Sequence, residues 1–247
     1  KAEINRVYEQ AIEVEPDNSR ARVALIQNIW ETEDYDKVIA ICRPAIEYNP
    51  DEMAFYYFQG MAQFQKHDSD AALETFRKGV GQIKPDSNPG IVSDFYAIMG
   101  DILHEKGRND EAFQAYDSCL QWKADNVAAL NNYAYFLSEK GQDLDKAASM
   151  SLKIVMAEPT NSTYLDTYAW ILFMQKRYPE ALEYIEKAIA NDPQEDISAV
   201  VLEHAGDIAF MANDVQKALQ YWEKALAKDA NNKMLKQKIK QKKYIKE

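Results

Sequence analysis

These 247 residues contain no glycine-rich phosphate loop and no HExxH motif. The three histidines, His67, His104 and His204, lie far apart, and none has a cysteine at metal-ligand spacing. Composition and motif therefore point away from an enzyme and call for neither a cofactor nor a metal. No apolar run approaches the length of a membrane span. No signal peptide is visible, but the sequence does not open on methionine, so that absence says nothing about export. Cysteine is nearly missing, at two residues. Positive charge is short as well: 29 lysines and arginines face 40 acids, for a net charge of −11. The last fifteen residues hold seven lysines and one glutamate, so the remainder carries about −17. So acidic a body argues against a nucleic-acid partner, because phosphates would be repelled. The basic end reads either as a solvated cap or as a contact for RNA or an anionic membrane.

Proline is scarce too, yet it is placed regularly. Pro16 and Pro50 stand 34 residues apart, as do Pro159 and Pro193. The stretch before Pro193 sets the pattern. Leu165, Tyr168, Ala169 and Leu172 share one helical face, and Ala181, Ile185 and Ala188 share the face of a second helix. Counting Ser162 as position 1, these fall at positions 4, 7, 8, 11, 20, 24 and 27. Position 8 is small in five units (Gly60, Gly100, Ala134, Ala169, Gly206), and so is position 20 (Ala72, Ala112, Ala147, Ala181, Ala218). Two helices crossing closely at these points require that. The prolines near position 32 stop the second helix, since proline supplies no amide to continue it.

A helix–turn–helix unit of this length with this pattern resembles the tetratricopeptide repeat family over nearly the whole chain. The resemblance implies an all-α fold, a right-handed superhelical solenoid of antiparallel helix pairs whose concave groove holds other proteins. Six units are read, at 19–52, 53–86, 93–126, 127–161, 162–195 and 199–232, as one continuous array. Residues 1–18 read as the second helix of a truncated repeat, with Ile4, Tyr8 and Ala11 on its packing face, as if the chain were a piece of a longer protein. Residues 233–247 read as a basic capping helix with one packing face and one wet face. The 34-residue phase breaks at three places. These are about six residues around 87–92, one near Leu144, and about three around Gln194–Ser198, with 196–198 lying between units. The breaks read as tolerated surface insertions, with a hinge or binding loop as the alternative for the first. Cys42 and Cys119 fall at packing positions in non-adjacent units, so two free buried thiols are expected. A sequon, Asn161–Ser162–Thr163, matters only in a glycosylating compartment.

In the family, first helices line the groove through positions 2, 5, 9, 12 and 13. Here these positions include Asp94, Asp101, His104 and Glu105, then Asn131, Tyr135, Ser138 and Glu139. They continue with Asp166, Trp170, Phe173 and Met174, and then Val200, Glu203, Asp207, Phe210 and Met211. Eight of all such positions are acidic, and Arg20 is the one permanently basic residue. Such a groove does not resemble the lysine- and arginine-bearing carboxylate clamps of chaperone-docking members. It suits a basic or amphipathic peptide or a partner helix, anchored by aromatics and held by carboxylates. Any single aromatic also reads as ordinary core.

The runs Leu130-Asn131-Asn132-Tyr133-Ala134-Tyr135-Phe136-Leu137, Tyr164-Leu165-Asp166-Thr167-Tyr168-Ala169-Trp170 and Leu202-Glu203-His204-Ala205-Gly206-Asp207 are most similar to envelope-type repeat proteins of the Bacteroidetes. More distant proteobacterial relatives include envelope lipoproteins acting as adaptors. This resemblance implies a binding stripe of Asn131, Tyr135, Asp166, Trp170, Glu203 and Asp207, with His204 at its edge. Phe173, Phe210 and Asp101 join the groove by position. It also implies a periplasmic or outer-membrane-associated location, with the cytoplasm as the alternative. The expected role is a non-enzymatic scaffold for protein or peptide partners. The alternative is a structural or assembly component of the envelope acting through its convex face.

Overall fold

The computed structural model describes residues 2–192 and 196–246. Among them are fourteen α-helices and no strand. The chain divides into two compact units, Lys1–Asn126 and Val127–Glu247. In the first unit α1 (Ala2–Val14) precedes the pairs α2 (Ser19–Trp30) with α3 (Tyr35–Tyr48), α4 (Met53–Gln65) with α5 (Ser69–Val80), and α6 (Pro89–Glu105) with α7 (Asn109–Trp122). The second unit pairs α8 (Val127–Glu139) with α9 (Leu144–Ala157), α10 (Ser162–Met174) with α11 (Tyr178–Ala190), and α12 (Ala199–Met211) with α13 (Val215–Lys228). Helix α14 (Lys233–Gln241) closes it against α13, and α10 also lies against α8 and α12.

Short polar residues start the helices. Asn18, Asp34, Asp68, Asn161, Asp214 and Asn232 each accept a hydrogen bond from the backbone N–H three residues on. The turn inside each pair is the same device six times. Glu33, His67, Gly107, Gly141, Lys176 and Asn213 all have φ between 57° and 72°, and each is the fifteenth residue from its unit's start. The following N–H reaches back five residues in five of the turns, as from Arg108 to the Leu103 carbonyl at 2.9 Å and from Arg177 to Leu172 at 2.9 Å. That closes each first helix with the left-handed cap that normally favours glycine. The extra residue near Leu144 is taken up by a second left-handed residue, Asp143, at φ 43°. The break around 87–92 is mostly helix, since residues 89–92 form the first turn of α6, with Pro89 in its usual place there. Helices α1, α3 and α9 each end two residues before Pro16, Pro50 and Pro159. Pro193 and residues 194–195 of the last break lie outside the described residues.

Packing within a pair is a size match between positions 8 and 24. A β-carbon on Gly60 would come within 2.6 Å of Phe76, one on Gly100 within 2.7 Å of Tyr116, and one on Gly206 within 2.2 Å of Trp222. Where position 8 carries a side chain, position 24 is smaller: Ile26 shares a buried cluster with Cys42, and Ala169 with Ile185. The five position-20 alanines are fully buried. Cys42 and Cys119 are buried and unbridged.

Both ends depart from expectation. Tyr8 and Ala11 of α1 are half-buried, but Ile4 is 52% exposed. Helix α14 stops at Gln241, where Lys242 turns left-handed at φ 50°. Lys238, which the lysine-rich pattern assigns to a wet face, is 1% exposed.

Candidate functional site

The site lies in the second unit, on the first helices of its three pairs. Spacings of three and four residues place Tyr135 and Glu139 on one face of α8, Asp166, Trp170 and Phe173 on one face of α10, and Glu203 and Asp207 on one face of α12. Trp170 is the centre. Its indole stacks on Phe173 at 4.6 Å and on the His204 imidazole at 4.2 Å, with interplanar angles of 18° and 20°. Asp166 fixes the imidazole through Nδ1, with its Oδ1 2.9 Å away. Burial opposes charge on His204, but Asp166 outweighs it, with help from Asp207 and Glu203, and the pKa rises above the ordinary histidine value.

Beside this stack runs a buried ion network. Lys238 reaches across from α14 to donate to Glu203 Oε1 at 2.7 Å and to Asp207 at 2.9–3.0 Å. Trp222 Nε1 donates to Asp207 Oδ1 at 2.9 Å. Burial pushes the Asp207 carboxyl up to about 6, while Lys238 and the indole N–H pull it back. The two carboxylates in turn hold Lys238 above the usual lysine value against the effect of its burial. In the first unit the same arrangement recurs in part. Tyr116 lies over Gly100 and its hydroxyl donates to Asp101. Glycine at position 8 thus lets the position-24 ring reach a position-9 aspartate.

Sequence reasoning treats these acids as free groove charges, and the structure corrects that for several. Asp207, at 3% exposure, is paired with Lys238; Glu203 shares that lysine; Asp166 holds His204; and Asp101 is bonded to Tyr116. Phe173 is buried behind Trp170, and Phe210 stacks over Trp222 at 6.0 Å. Asn131 is half-buried, one turn before Tyr135, with its Oδ1 unbonded. Five of the expected residues do come together. Tyr135, Trp170, Glu203, His204 and Asp207 wall a cavity of about 320 Å³, with Glu139, Met174 and Val200 from the same helices.

The rest of that wall was missed. It comes from Lys238, Tyr244, Ile245 and Lys246. Tyr244 sets its ring edge-on to Phe173, centroids 5.5 Å apart, and lies 5.6 Å from the Lys238 ammonium. The one signal available was a Tyr-Ile pair set among lysines.

With this geometry in view, known proteins can be compared. Family models for the tetratricopeptide repeat match residues 30–88, 93–126 and 162–195, together a little over half of the chain. A TPR repeat-containing protein of Pseudomonas aeruginosa is 25% identical over 146 residues, which is 58% of this chain and 23% of that protein. The chain therefore spans about a quarter of that relative's length. Among solved structures, the type IV pilus biogenesis factor PilW superposes with a TM-score of 0.68 at 20% identity, covering 89% of this chain and 97% of that one. A tetratricopeptide repeat protein of Parabacteroides merdae gives 0.59 at 15% identity, covering 96% and 90%. At such identities the likeness speaks for the fold. The recurring helix pairs, the closed turn at position 15 and the family matches make this chain a member of the tetratricopeptide repeat family.

Proposed function

We propose that the chain is a protein-interaction scaffold. Its second unit holds a basic, partly apolar segment of a partner against α8, α10 and α12. The observation that carries this is the cavity wall. It combines half-buried aromatics, Tyr135 and Trp170, with the exposed Glu139 and the partly paired Glu203. Rings supply anchoring area at low entropic cost, and the carboxylates favour a cation beside them. Asp166, His204 and Phe173 orient Trp170, while Asp207 and Lys238 brace the floor. Asn131, Phe210 and Asp101 are flanking positions in this reading.

Peptide arrays followed by titration at two ionic strengths test it. Trp170→Ala is expected to weaken binding by about 1–3 kcal/mol at both salts. Glu139→Lys is expected to weaken it mainly at low salt, where exposed charges are least screened. A preference for acidic peptides, or indifference to both substitutions, would place the binding surface elsewhere.

A second reading is supported by the fold likeness to a pilus biogenesis factor: an assembly component of a bacterial envelope, in the periplasm or at the outer membrane. No helix among the described residues is long and apolar enough to cross a membrane. Cell fractionation tests the location. A partner recovered equally well by Trp170→Ala would favour this reading over the groove.

A further inference from the structure

Residues 242–246, Lys-Lys-Tyr-Ile-Lys, leave α14 at the left-handed Lys242 and run on without helix. They turn back along the cavity wall. Tyr244 packs on Phe173 of α10, and Ile245 and Lys246 line the same cavity as Tyr135 and Trp170. Tyr244 and Ile245 are half-buried, whereas all three lysines are exposed. The segment thus presents an aromatic–aliphatic anchor between cations to a wall of rings and carboxylates.

We propose that this segment is an internal occupant of the site, and that the partner carries a stretch of the same make and binds by displacing it. The partner stretch is an aromatic beside an aliphatic residue, flanked by lysines. This rests on the groove reading above and narrows it to a recognisable ligand and a built-in competitor. The anchoring is suited to exchange. The backbone bonds of Lys242 and Lys243, to the carbonyls of Ile239 and Lys238, sit at the helix end and survive release. The buried ion network belongs to Lys238 on α14, so it also stays when residues 244–246 lift away. A short tether keeps the local concentration of the segment around the millimolar range, and a partner sees a site only fractionally open.

The test is fluorescence anisotropy with a labelled synthetic Lys-Lys-Tyr-Ile-Lys peptide titrated with the whole chain. Tyr244→Ala is expected to tighten binding by about tenfold or more over the unchanged chain, through removal of the competitor. Adding Trp170→Ala should abolish that gain. The double change Lys242→Glu with Lys246→Glu leaves the apolar packing in place and should tighten binding in the same direction, which covers the case that Tyr244→Ala fails to fold. Equal affinity in all these chains would overturn the proposal, as would failure of this peptide to bind any of them. If other lysine-rich peptides bind the unchanged chain and Tyr244→Ala alike, displacement fails and the groove reading stands. If no basic peptide binds either chain, both fall.

Discussion

The indole of Trp222 sets its Cδ1–Nε1 bond against Gly206, with Cδ1 only 2.2 Å from where a β-carbon on that residue would stand. From that position its N–H reaches Asp207. Alanine in a helix interior is ordinarily better than glycine by roughly 0.5–1 kcal/mol. Here the sign reverses. Gly206→Ala is expected to destabilise by about 1–3 kcal/mol, because a large ring must move. Gly100→Leu against Tyr116 should be worse. Thermal melts of both variants check this, and an unchanged midpoint would mean that the crossing is looser than the structure has it.

Asp207 makes stability fall as pH rises through mildly acidic values. It keeps its proton in the folded chain to about pH 6, but releases it near the ordinary carboxyl value of 3.8 when unfolded. Between those values the folded chain binds more protons, so each rise in pH favours unfolding. Asp207→Asn removes that contribution. Urea titrations from pH 4 to 7 should show the difference between the two proteins changing over that window and then levelling.

Removing the cation is the harsher test of the same network. Lys238→Met leaves the half-buried Glu203 and the buried Asp207 without their shared counter-charge, and is expected to cost about 3–5 kcal/mol at neutral pH. Asp207→Asn in the same chain should restore part of that. Surface lysines such as Lys240, changed in parallel, should leave the denaturation midpoint within about 0.5 kcal/mol of the original.

Left-handed turns closed by residues other than glycine leave stability to be gained. Lys176→Gly, at φ 62°, relieves the β-carbon's conflict with its own backbone and is expected to stabilise by up to about 1 kcal/mol. Gly107→Ala should move the melting temperature the other way.

Burial pushes the Cys42 thiol up to about 12, and it raises Cys119 as well. Thiolate is the reactive species, so both should resist a thiol reagent at neutral pH until denaturant is added. Rapid native labelling would contradict the packing described for α3 and α7.

The repeat phase was legible because small residues and prolines recur at fixed offsets whatever the tertiary setting. The turns were not. Glu33, His67 and Lys176 carry no compositional mark of the left-handed region, and the closed cap imposes it on them. Lys238 was illegible for a different reason. A lysine in a lysine-rich helix looks solvated, and the carboxylates that bury it lie 35 and 31 residues earlier on another helix. Tyr135, Trp170 and Glu203 were found by position alone, while the pairing of Asp166 and Asp207 required knowing what lies across from them. One long-range signal was present: a Gly-Asp dipeptide followed by tyrosine or tryptophan fifteen residues after the aspartate, at Asp101 and Tyr116 and again at Asp207 and Trp222.

The reciprocal fit of positions 8 and 24 is closed within each helix pair, and that decides what can be recombined. At these two positions a whole pair carries its own complement and can be exchanged for another, provided the fit across the seam between pairs, such as Gly79 of α5 against Phe95 of α6, is kept. A single helix cannot. Setting the ring of Trp222 against Ile26 would be a collision, and setting Cys42 against Gly206 would leave a hollow nearly the size of an indole. Substitutions at the two positions are thus bound to be inherited together, and grafting experiments should cut the chain between pairs and never within one.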